Sequence, residues 1–188
     1  MNQSAADLLL VNQVLNGDMS SFEELVTRHK DYAFSIALKI LGNTMDAEEV
    51  AHDAFVKAFN SLQNFNQTAK FTTWLYRIVF NSAISRKRKY VAKVDDLDEV
   101  HSLASSESTP DQNLENEQRI IYVNKAISML QPIDATIISL FYLKQMNLDE
   151  IGKIVGLKSN AVKVKLHRAR KRLATELGKV LNHEAEFL

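Results

Sequence analysis

Apolar residues recur every three or four positions over most of this 188-residue chain, which is the periodicity of amphipathic helices. In the first half this pattern predicts four helices, over residues 4–16, 20–42, 45–63 and 69–91. Glycine and proline, which interrupt helices, number only five and two in the whole chain. The pattern therefore predicts an all-α protein.

Short polar stretches predict where the helices of the first half begin and end. Ser20, followed three residues later by Glu23, predicts a capping box at the start of the second helix. Gly42 predicts the end of that helix, because glycine accepts the left-handed backbone conformation. The next helix is predicted to begin near Thr44, with acidic residues in its first turn.

The helical pattern is lost between residues 93 and 113. This stretch is acidic, rich in serine and poor in aromatic residues, so it buries too little apolar surface to offset the loss of chain entropy. Periodicity returns from residue 114, and Pro132 predicts the start of a further helix. The sequence predicts two small helical domains, residues 1–92 and 114–188, joined by a flexible acidic linker.

The stretch "LDEIGKIVGLKSNAVKVKLHRARKRL" predicts a helix-turn-helix. Its first helix has an apolar face formed by Leu148, Ile151, Ile154 and Val155. Gly156 permits a left-handed turn, Leu157 fills the angle, and Ser159 is placed to cap the second helix. The inward face of that second helix is predicted to consist of Ala161, Val162, Leu166 and Leu173.

The formal net charge of zero conceals a strong pattern along the chain. Lysine and arginine against aspartate and glutamate number 10 to 9 over residues 1–90, 1 to 8 over residues 91–117, and 12 to 6 over residues 118–188. Seven cations lie within residues 158–172, and no acid occurs from 151 to 175. Because this cation run coincides with the helix-turn-helix, we favour DNA binding over the alternative of a solvated basic helix.

Two separate parts of the chain resemble bacterial RNA polymerase sigma factors of the extracytoplasmic-function group (group 4 of the sigma-70 family). The helix-turn-helix resembles their region 4. Three stretches of the first half resemble their region 2: "GDMSSFEELVTRHKDYAFSIALKILGN", "DAEEVAHDAFVKAF" and "FTTWLYRIVFNSAISRKRK". The resemblance implies a cytoplasmic, non-enzymatic protein that binds core RNA polymerase and directs transcription initiation at specific promoters.

The resemblance also implies roles for residues of region 2. The surface that docks on the β′ clamp of the polymerase would include Asp46, Glu48, Glu49, Asp53 and Lys57. The loop "QNFNQTAK" is similar to one that captures a base of the melted −10 strand; its candidate readers, above an apolar floor around Phe65 and Phe71, are Asn64, Asn66, Gln67 and Thr68. The −10 surface would continue through Lys70, Thr73, Arg77, Asn81, Ser85, Arg86 and Arg88.

Helical spacing separates two faces within residues 70–89. One face is an apolar stripe of Phe71, Trp74, Leu75, Ile78 and Val79, so Trp74 is predicted to anchor the core. The polar residues Thr73, Arg77, Asn81, Ser85 and Arg88 follow another face and are the expected DNA contacts. Tyr76 and Phe80 stay open between a second packing face and a platform for base stacking.

Region 4 would read the −35 element and contact the β flap of the polymerase. The candidate −35 contacts are Lys158, Ser159, Asn160, Lys163, Lys165, His167, Arg168 and Lys171. Ser85 and Ala161 depart from the family pattern, which often has aspartate and threonine at these positions. Members of the group are often held by an anti-sigma partner, which the sequence neither shows nor excludes.

Other chemistry finds little support in the sequence. The chain has no cysteine, and it contains no glycine-rich phosphate loop or nucleophile motif. Glu49 and His52 have the spacing of a di-metal helix, but no other histidine has a glutamate three residues before it. We therefore expect no metal, no cofactor and no catalytic activity.

Two alternatives to a sigma factor stay open. The first is a helix-turn-helix regulator that binds duplex DNA without core polymerase, which would leave residues 20–90 without a role. The second is a helical adaptor that binds only protein. The N-terminus has no basic leader and no stretch approaches the roughly 20 apolar residues of a membrane span, so we expect a cytoplasmic protein.

Overall fold

The computed structural model describes the backbone of residues 3–94 and 114–185, and its regular structure in these ranges is entirely helical. The first half consists of α1 (Gln3–Leu15), α2 (Ser20–Leu41), α3 (Thr44–Asn60), a short 3₁₀ turn (Leu62–Asn64) and α4 (Phe71–Val94). The second half consists of α5 (Leu114–Ser128), α6 (Pro132–Tyr142), α7 (Leu148–Val155) and α8 (Ser159–Ala185). The predicted all-α fold is confirmed.

The predicted linker lies almost entirely outside the described residues. Its first two residues, Lys93 and Val94, belong to α4, which ends three residues later than predicted. The flexibility of residues 95–113 therefore stays a prediction. Among the described helices, none combines the length and the apolar character needed to cross a membrane.

The capping box predicted at Ser20 and Glu23 is wrong. Asp18 caps α2 instead: its carboxylate accepts hydrogen bonds from the backbone N–H and the hydroxyl of Ser20, at 3.1 and 2.6 Å, and from the hydroxyl of Ser21 at 2.8 Å. Ser20 already belongs to the helix, so its hydroxyl turns back to the preceding carboxylate. The predicted end at Gly42 is confirmed by its φ of 74°.

The structure decides the roles of Tyr76 and Phe80, which the sequence left open between packing and base stacking. Tyr76 and Phe80 are 1% and 5% exposed, so both belong to the packing face and neither offers a platform for base stacking. Trp74 is half-buried against the core, with its ring 5.2 Å from Phe65 and 5.9 Å from Phe71. Its predicted role as a core anchor is confirmed.

The helix-turn-helix forms as predicted, with one difference. Gly156 ends α7 at a φ of 73°, and the inward face of α8 contains Val162, Leu166 and Ala169, with Leu173 half-buried beside them. Ala161, predicted to lie inward, is exposed, because adjacent residues of a helix point about 100° apart and Val162 takes the buried direction.

The two halves pack against each other in what we call the closed arrangement, in which α7 lies on α4 and α6 lies on α2. The Nζ atom of Lys70 is 2.8 Å from a carboxylate oxygen of Glu150, and the Nζ atom of Lys144 is 4.3 Å from the ring centre of Tyr32. Most of the buried apolar residues of both halves belong to one continuous core.

Candidate nucleic-acid interface

The polar face of α4 is exposed over three turns. Its members recur at intervals of four, four and three residues and are Arg77, Asn81, Ser85 and Arg88. Thr73, predicted to begin this stripe, is only 2% exposed, and its hydroxyl has no hydrogen-bond partner among the described residues. Thr73 is therefore inaccessible to DNA in the closed arrangement, in which it lines a cavity shared with the first turn of α7.

The predicted −10 loop is exposed and ordered by its own side chains. The side-chain oxygen of Asn66 accepts hydrogen bonds from the backbone N–H and the hydroxyl of Thr68, at 3.2 and 2.8 Å. Gln67 adopts a left-handed φ of 58°, and its amide nitrogen is 3.3 Å from the side-chain oxygen of Asn12 in α1. Asn64, at the start of the loop, is also exposed.

The aromatic rings beneath the loop, which were expected to provide an apolar floor for a base, are buried. Phe65 and Phe71 are 6% and 1% exposed, and their ring centroids are 6.0 Å apart in an edge-to-face contact. They anchor the base of the loop in the core. A captured base would have to use the polar side chains of the loop or a rearranged ring.

Arg86, a predicted DNA contact, forms ion pairs with two carboxylates of the protein itself. Its guanidinium donates hydrogen bonds to Glu49 and, at 3.1 Å, to Asp46, and the hydroxyl of Tyr90 donates to Asp46 at 2.7 Å. The hydrogen bonds that Arg86 donates to Glu49 and Asp46 hold the pKa of its guanidinium above its usual range. These hydrogen bonds connect α4 to α3. Asp46 and Glu49, two of the predicted polymerase contacts, are therefore engaged within the first half of the chain.

The remaining predicted polymerase contacts lie on the surface of α3. Glu48, Asp53 and Lys57 are exposed, and the Nζ atom of Lys57 donates to the hydroxyl of Ser82 at 3.0 Å.

The basic run at the end of α4 is less uniform than its sequence indicates. Lys87 donates to the backbone carbonyl of Ile40 at 2.8 Å, and desolvation lowers its pKa.

The outer face of α8 carries most of the predicted −35 contacts. Ser159 is half-buried at the start of the helix, and the exposed members are Lys158, Asn160, Lys163, His167, Arg168 and Lys171. Lys165 differs, because its Nζ atom lies 3.7 Å from the buried carboxylate of Asp134 in α6. Arg172 binds the other oxygen of Asp134 at 2.6 Å. The carboxylate of Asp134, which the sequence did not single out, therefore connects α6 to α8.

Comparisons with known proteins identify both halves. The sigma-70 region 2 family model matches residues 25–92, and the sigma-70 region 4 model matches residues 120–173. The extracytoplasmic-function RNA polymerase sigma factor SigW of Bacillus subtilis is 30% identical over 176 residues, which cover 89% of this chain and 94% of SigW.

Two solved structures share the fold. The sigma factor RpoE of Bartonella quintana, in complex with the anti-sigma factor NepR, aligns with a TM-score of 0.72 and 23% identity over 85% of this chain and 98% of RpoE. CnrH, in complex with the cytosolic domain of CnrY, aligns with a TM-score of 0.63 and 24% identity over 93% of this chain and 98% of CnrH.

The helix-turn-helix, the exposed polar face of α4 and these matches define a DNA-binding transcription initiation factor. The chain belongs to the extracytoplasmic-function sigma factors of RNA polymerase. It directs transcription initiation, as the resemblance predicted, and neither the stand-alone regulator nor the protein-binding adaptor is favoured.

Proposed function

We propose that the two halves divide the promoter between them. Residues 1–92 act as region 2, which binds core polymerase and captures the melted −10 strand, and residues 114–188 act as region 4, which reads the −35 element. The observation that carries this proposal is the exposed polar stripe of α4 from Arg77 to Arg88, together with the exposed loop of residues 64–68 that precedes this helix. Polar and basic side chains on one exposed face fit an unstacked strand.

Within region 2, the polymerase-facing surface is centred on the exposed residues Glu48, Asp53 and Lys57 of α3. These residues would meet the β′ clamp. Asp46 and Glu49 support that surface indirectly, since they hold Arg86 and thereby fix α4 relative to α3. The chain contributes no catalytic groups in this proposal, and polymerisation chemistry belongs to the polymerase.

Within region 4, the N-terminal part of α8 enters the major groove. Asn160 and Lys163, exposed in the first turns of α8, would meet base edges, and the exposed Arg168 and Lys171 further along the helix would meet phosphates. Lys165 contributes less to DNA binding than its charge indicates, because it faces Asp134. The β flap of the polymerase is the proposed protein contact of this region.

An anti-sigma protein is the third proposed partner. The support is the shared fold with RpoE and CnrH, whose solved structures contain NepR and the cytosolic domain of CnrY. Such a partner would compete with the polymerase for the same two halves. We place the chain in the cytoplasm, where core RNA polymerase works.

Run-off transcription tests the proposal. Purified chain plus core polymerase should initiate on promoter fragments that core polymerase alone ignores, and the chain should shift duplex promoter DNA mainly when core polymerase is present. Binding of core polymerase by pull-down is the accompanying measurement. A correctly folded chain that does not bind core polymerase would overturn the proposed function.

A further inference from the structure

The buried carboxylate of Asp134 lies between two cations of α8, the helix proposed to bind DNA. Asp134 is 3% exposed in the first turn of α6, and it is the only acid of that helix. One of its oxygens is 3.7 Å from the Nζ atom of Lys165, and the other is 2.6 Å from a guanidinium nitrogen of Arg172. The two cations are seven residues apart, which is about two turns of α8, so a single carboxylate engages both.

The position of Asp134 in α6 suits a negative charge. Pro132 begins the helix, so the carboxylate lies in the first turn, where the helix dipole favours an anion. No acid occurs on α8 between residues 159 and 175 that would compete for the two cations. The hydrogen bond from the guanidinium of Arg172 joins two charged groups, and such bonds are roughly twice as strong as neutral ones. Asp134 is therefore well placed to retain both cations.

Packing on α6 divides the seven cations of residues 158–172 into two groups. Lys165 and Arg172 face Asp134, and the guanidinium of Arg170 lies over two aromatic rings at the end of α6, 5.9 and 6.0 Å from their centres. The other four cations are exposed and form no ion pair among the described residues: Lys158, Lys163, Arg168 and Lys171. All four belong to the predicted −35 contacts.

Lys165 and Arg172 lie on the same side of α8 as one of these exposed cations. Arg168 follows Lys165 by three residues and precedes Arg172 by four, and residues at these spacings are neighbours on a helix surface. The side chains of Lys165 and Arg172 are 41% and 57% exposed, so each would reach a nearby phosphate if Asp134 released it. Carboxylate and phosphate oxygens accept the same bonds from lysine and arginine, so the two anions compete.

We propose that Asp134 is a positioning residue that limits the sequence-independent affinity of region 4 for DNA. It holds Lys165 and Arg172 at α6 and leaves the phosphate contacts to the four exposed cations. The inference rests on the proposed binding of α8 to −35 DNA. Contacts to phosphate carry no sequence information, so loss of the carboxylate should strengthen binding to duplex DNA of any sequence.

Asp134→Asn in the full chain tests the proposal. The probe is a fluorescein-labelled, mixed-sequence DNA duplex, whose binding constant K is measured by anisotropy over a series of salt concentrations. The amide keeps the shape of the carboxylate but not its charge, so one or two phosphate contacts are gained. The slope of log K against log salt should become steeper by about 0.9 to 1.8. The ratio of variant to wild-type affinity should then grow about 3- to 12-fold for each fourfold fall in salt.

Glu176→Gln is the matched control. It also removes one negative charge from region 4 and breaks an ion pair of α8, but its partner Lys179 lies beyond the cation run. The slope should stay at the wild-type value, whereas a general effect of net charge would steepen it as much as Asp134→Asn does. Damage to the fold cannot imitate the expected result, because it lowers DNA affinity. Thermal unfolding followed by circular dichroism confirms that each variant is folded.

Alanine variants of the two cations assign the gain. With Asp134 in place, Lys165→Ala and Arg172→Ala should each change the slope by less than about 0.5, because both cations are withheld from phosphate. In the Asp134→Asn background, the two substitutions together should return the slope to the wild-type value. Asp134→Ala replaces Asp134→Asn if the amide prevents folding, because alanine favours the helix and leaves no buried polar group unpaired.

The outcomes separate this inference from the proposed function. A wild-type slope in a folded Asp134 variant would overturn the inference. It would also be overturned if Lys165→Ala or Arg172→Ala lowered the slope by about 0.9 while Asp134 is in place, since that cation would already contact phosphate. Failure of the proposed role of α8 would be seen separately, as an unchanged slope when Arg168→Ala is combined with Lys171→Ala. The inference is supported when only the Asp134 variants steepen the slope and removal of the two cations reverses the change.

Discussion

The imidazole Nε2 atom of His29 in α2 lies 3.1 Å from a carboxylate oxygen of Asp7 in α1, and both residues are 1% exposed. The hydroxyl of Tyr76 in α4 is 3.4 Å from the other ring nitrogen of His29. Three helices thus meet at one buried polar cluster. The guanidinium of Arg28 lies 3.5 Å from the other oxygen of Asp7, at the solvent side of this cluster.

Asp7→Ala should destabilise the first half of the chain, because it leaves the Nε2 atom of the buried His29 without its partner. We expect a loss of about 1–3 kcal/mol in the free energy of unfolding, measured by urea denaturation. Asp31→Ala, at an exposed position of α2, is the control and should change stability by less than about 0.5 kcal/mol. Equal effects of the two substitutions would mean that the cluster contributes nothing to stability.

Asp18→Ala should lower the melting temperature by a few degrees at neutral pH, because α2 loses its cap. The hydrogen bonds from Ser20 and Ser21 hold the pKa of Asp18 below its ordinary value. The folded state therefore favours the carboxylate, and its contribution is complete above the ordinary aspartate pKa and is lost as the pH falls through the lower folded pKa. The gap between wild type and variant should close on acidification. A gap that stays constant with pH would contradict this origin.

Gly152→Ala should destabilise the helix-turn-helix. A Cβ atom there would lie 2.5 Å from the backbone carbonyl oxygen of Leu157, so the turn would have to shift, at a cost of about 1–3 kcal/mol. Gly178→Ala in α8 meets no atom within 4 Å and should stabilise the helix by about 0.5–1 kcal/mol. Thermal unfolding of both variants, compared with wild type, measures this contrast in sign. Gly152→Ala as stable as wild type would show that the turn adapts freely.

Arg168→Ala combined with Lys171→Ala should weaken binding of the holoenzyme to −35 DNA and make it less dependent on salt. Two lost phosphate contacts reduce the slope of log K against log salt by about 1.8. Lys165→Ala should change the slope less, because that side chain faces Asp134. Filter binding over a series of salt concentrations measures all three slopes. An unchanged slope in the double variant would mean that Arg168 and Lys171 face away from the DNA.

Asn66→Ala should slow the formation of the open complex more than it weakens the closed promoter complex. The substitution removes a candidate base reader and also the acceptor that holds Thr68 in the loop. Gln63→Ala, an exposed neighbour outside the predicted set, should leave both steps unchanged. Stopped-flow promoter melting and gel-shift binding separate the two steps. Equal losses in both steps would argue against base capture.

Helical periodicity was enough to predict which residues of α4 share a face. The exposed stripe from Arg77 to Arg88 and the buried position of Leu75 follow from spacing within α4, because a single helix fixes the direction of its own side chains. The left-handed turn at Gly156 was equally predictable, because glycine adopts it at low cost. Resemblance of two separate regions was enough to indicate the family.

Two of the predicted DNA contacts have ion-pair partners far away in sequence. Arg86 pairs with Asp46, 40 residues earlier, and Lys165 with Asp134, 31 residues earlier, so neither cation is as free for DNA as its own helix indicates. No periodic pattern contains such pairs, because each depends on the angle at which two helices meet.

The sequence by itself determined the helices, their buried faces, the helix-turn-helix and the family. Only the tertiary structure decided which charges are satisfied inside the protein, that Thr73 is covered, and that Glu150 faces Lys70. The physical reason is that amphipathic spacing is a local property of one helix, whereas ion pairs and burial between the halves depend on packing of segments distant in the chain.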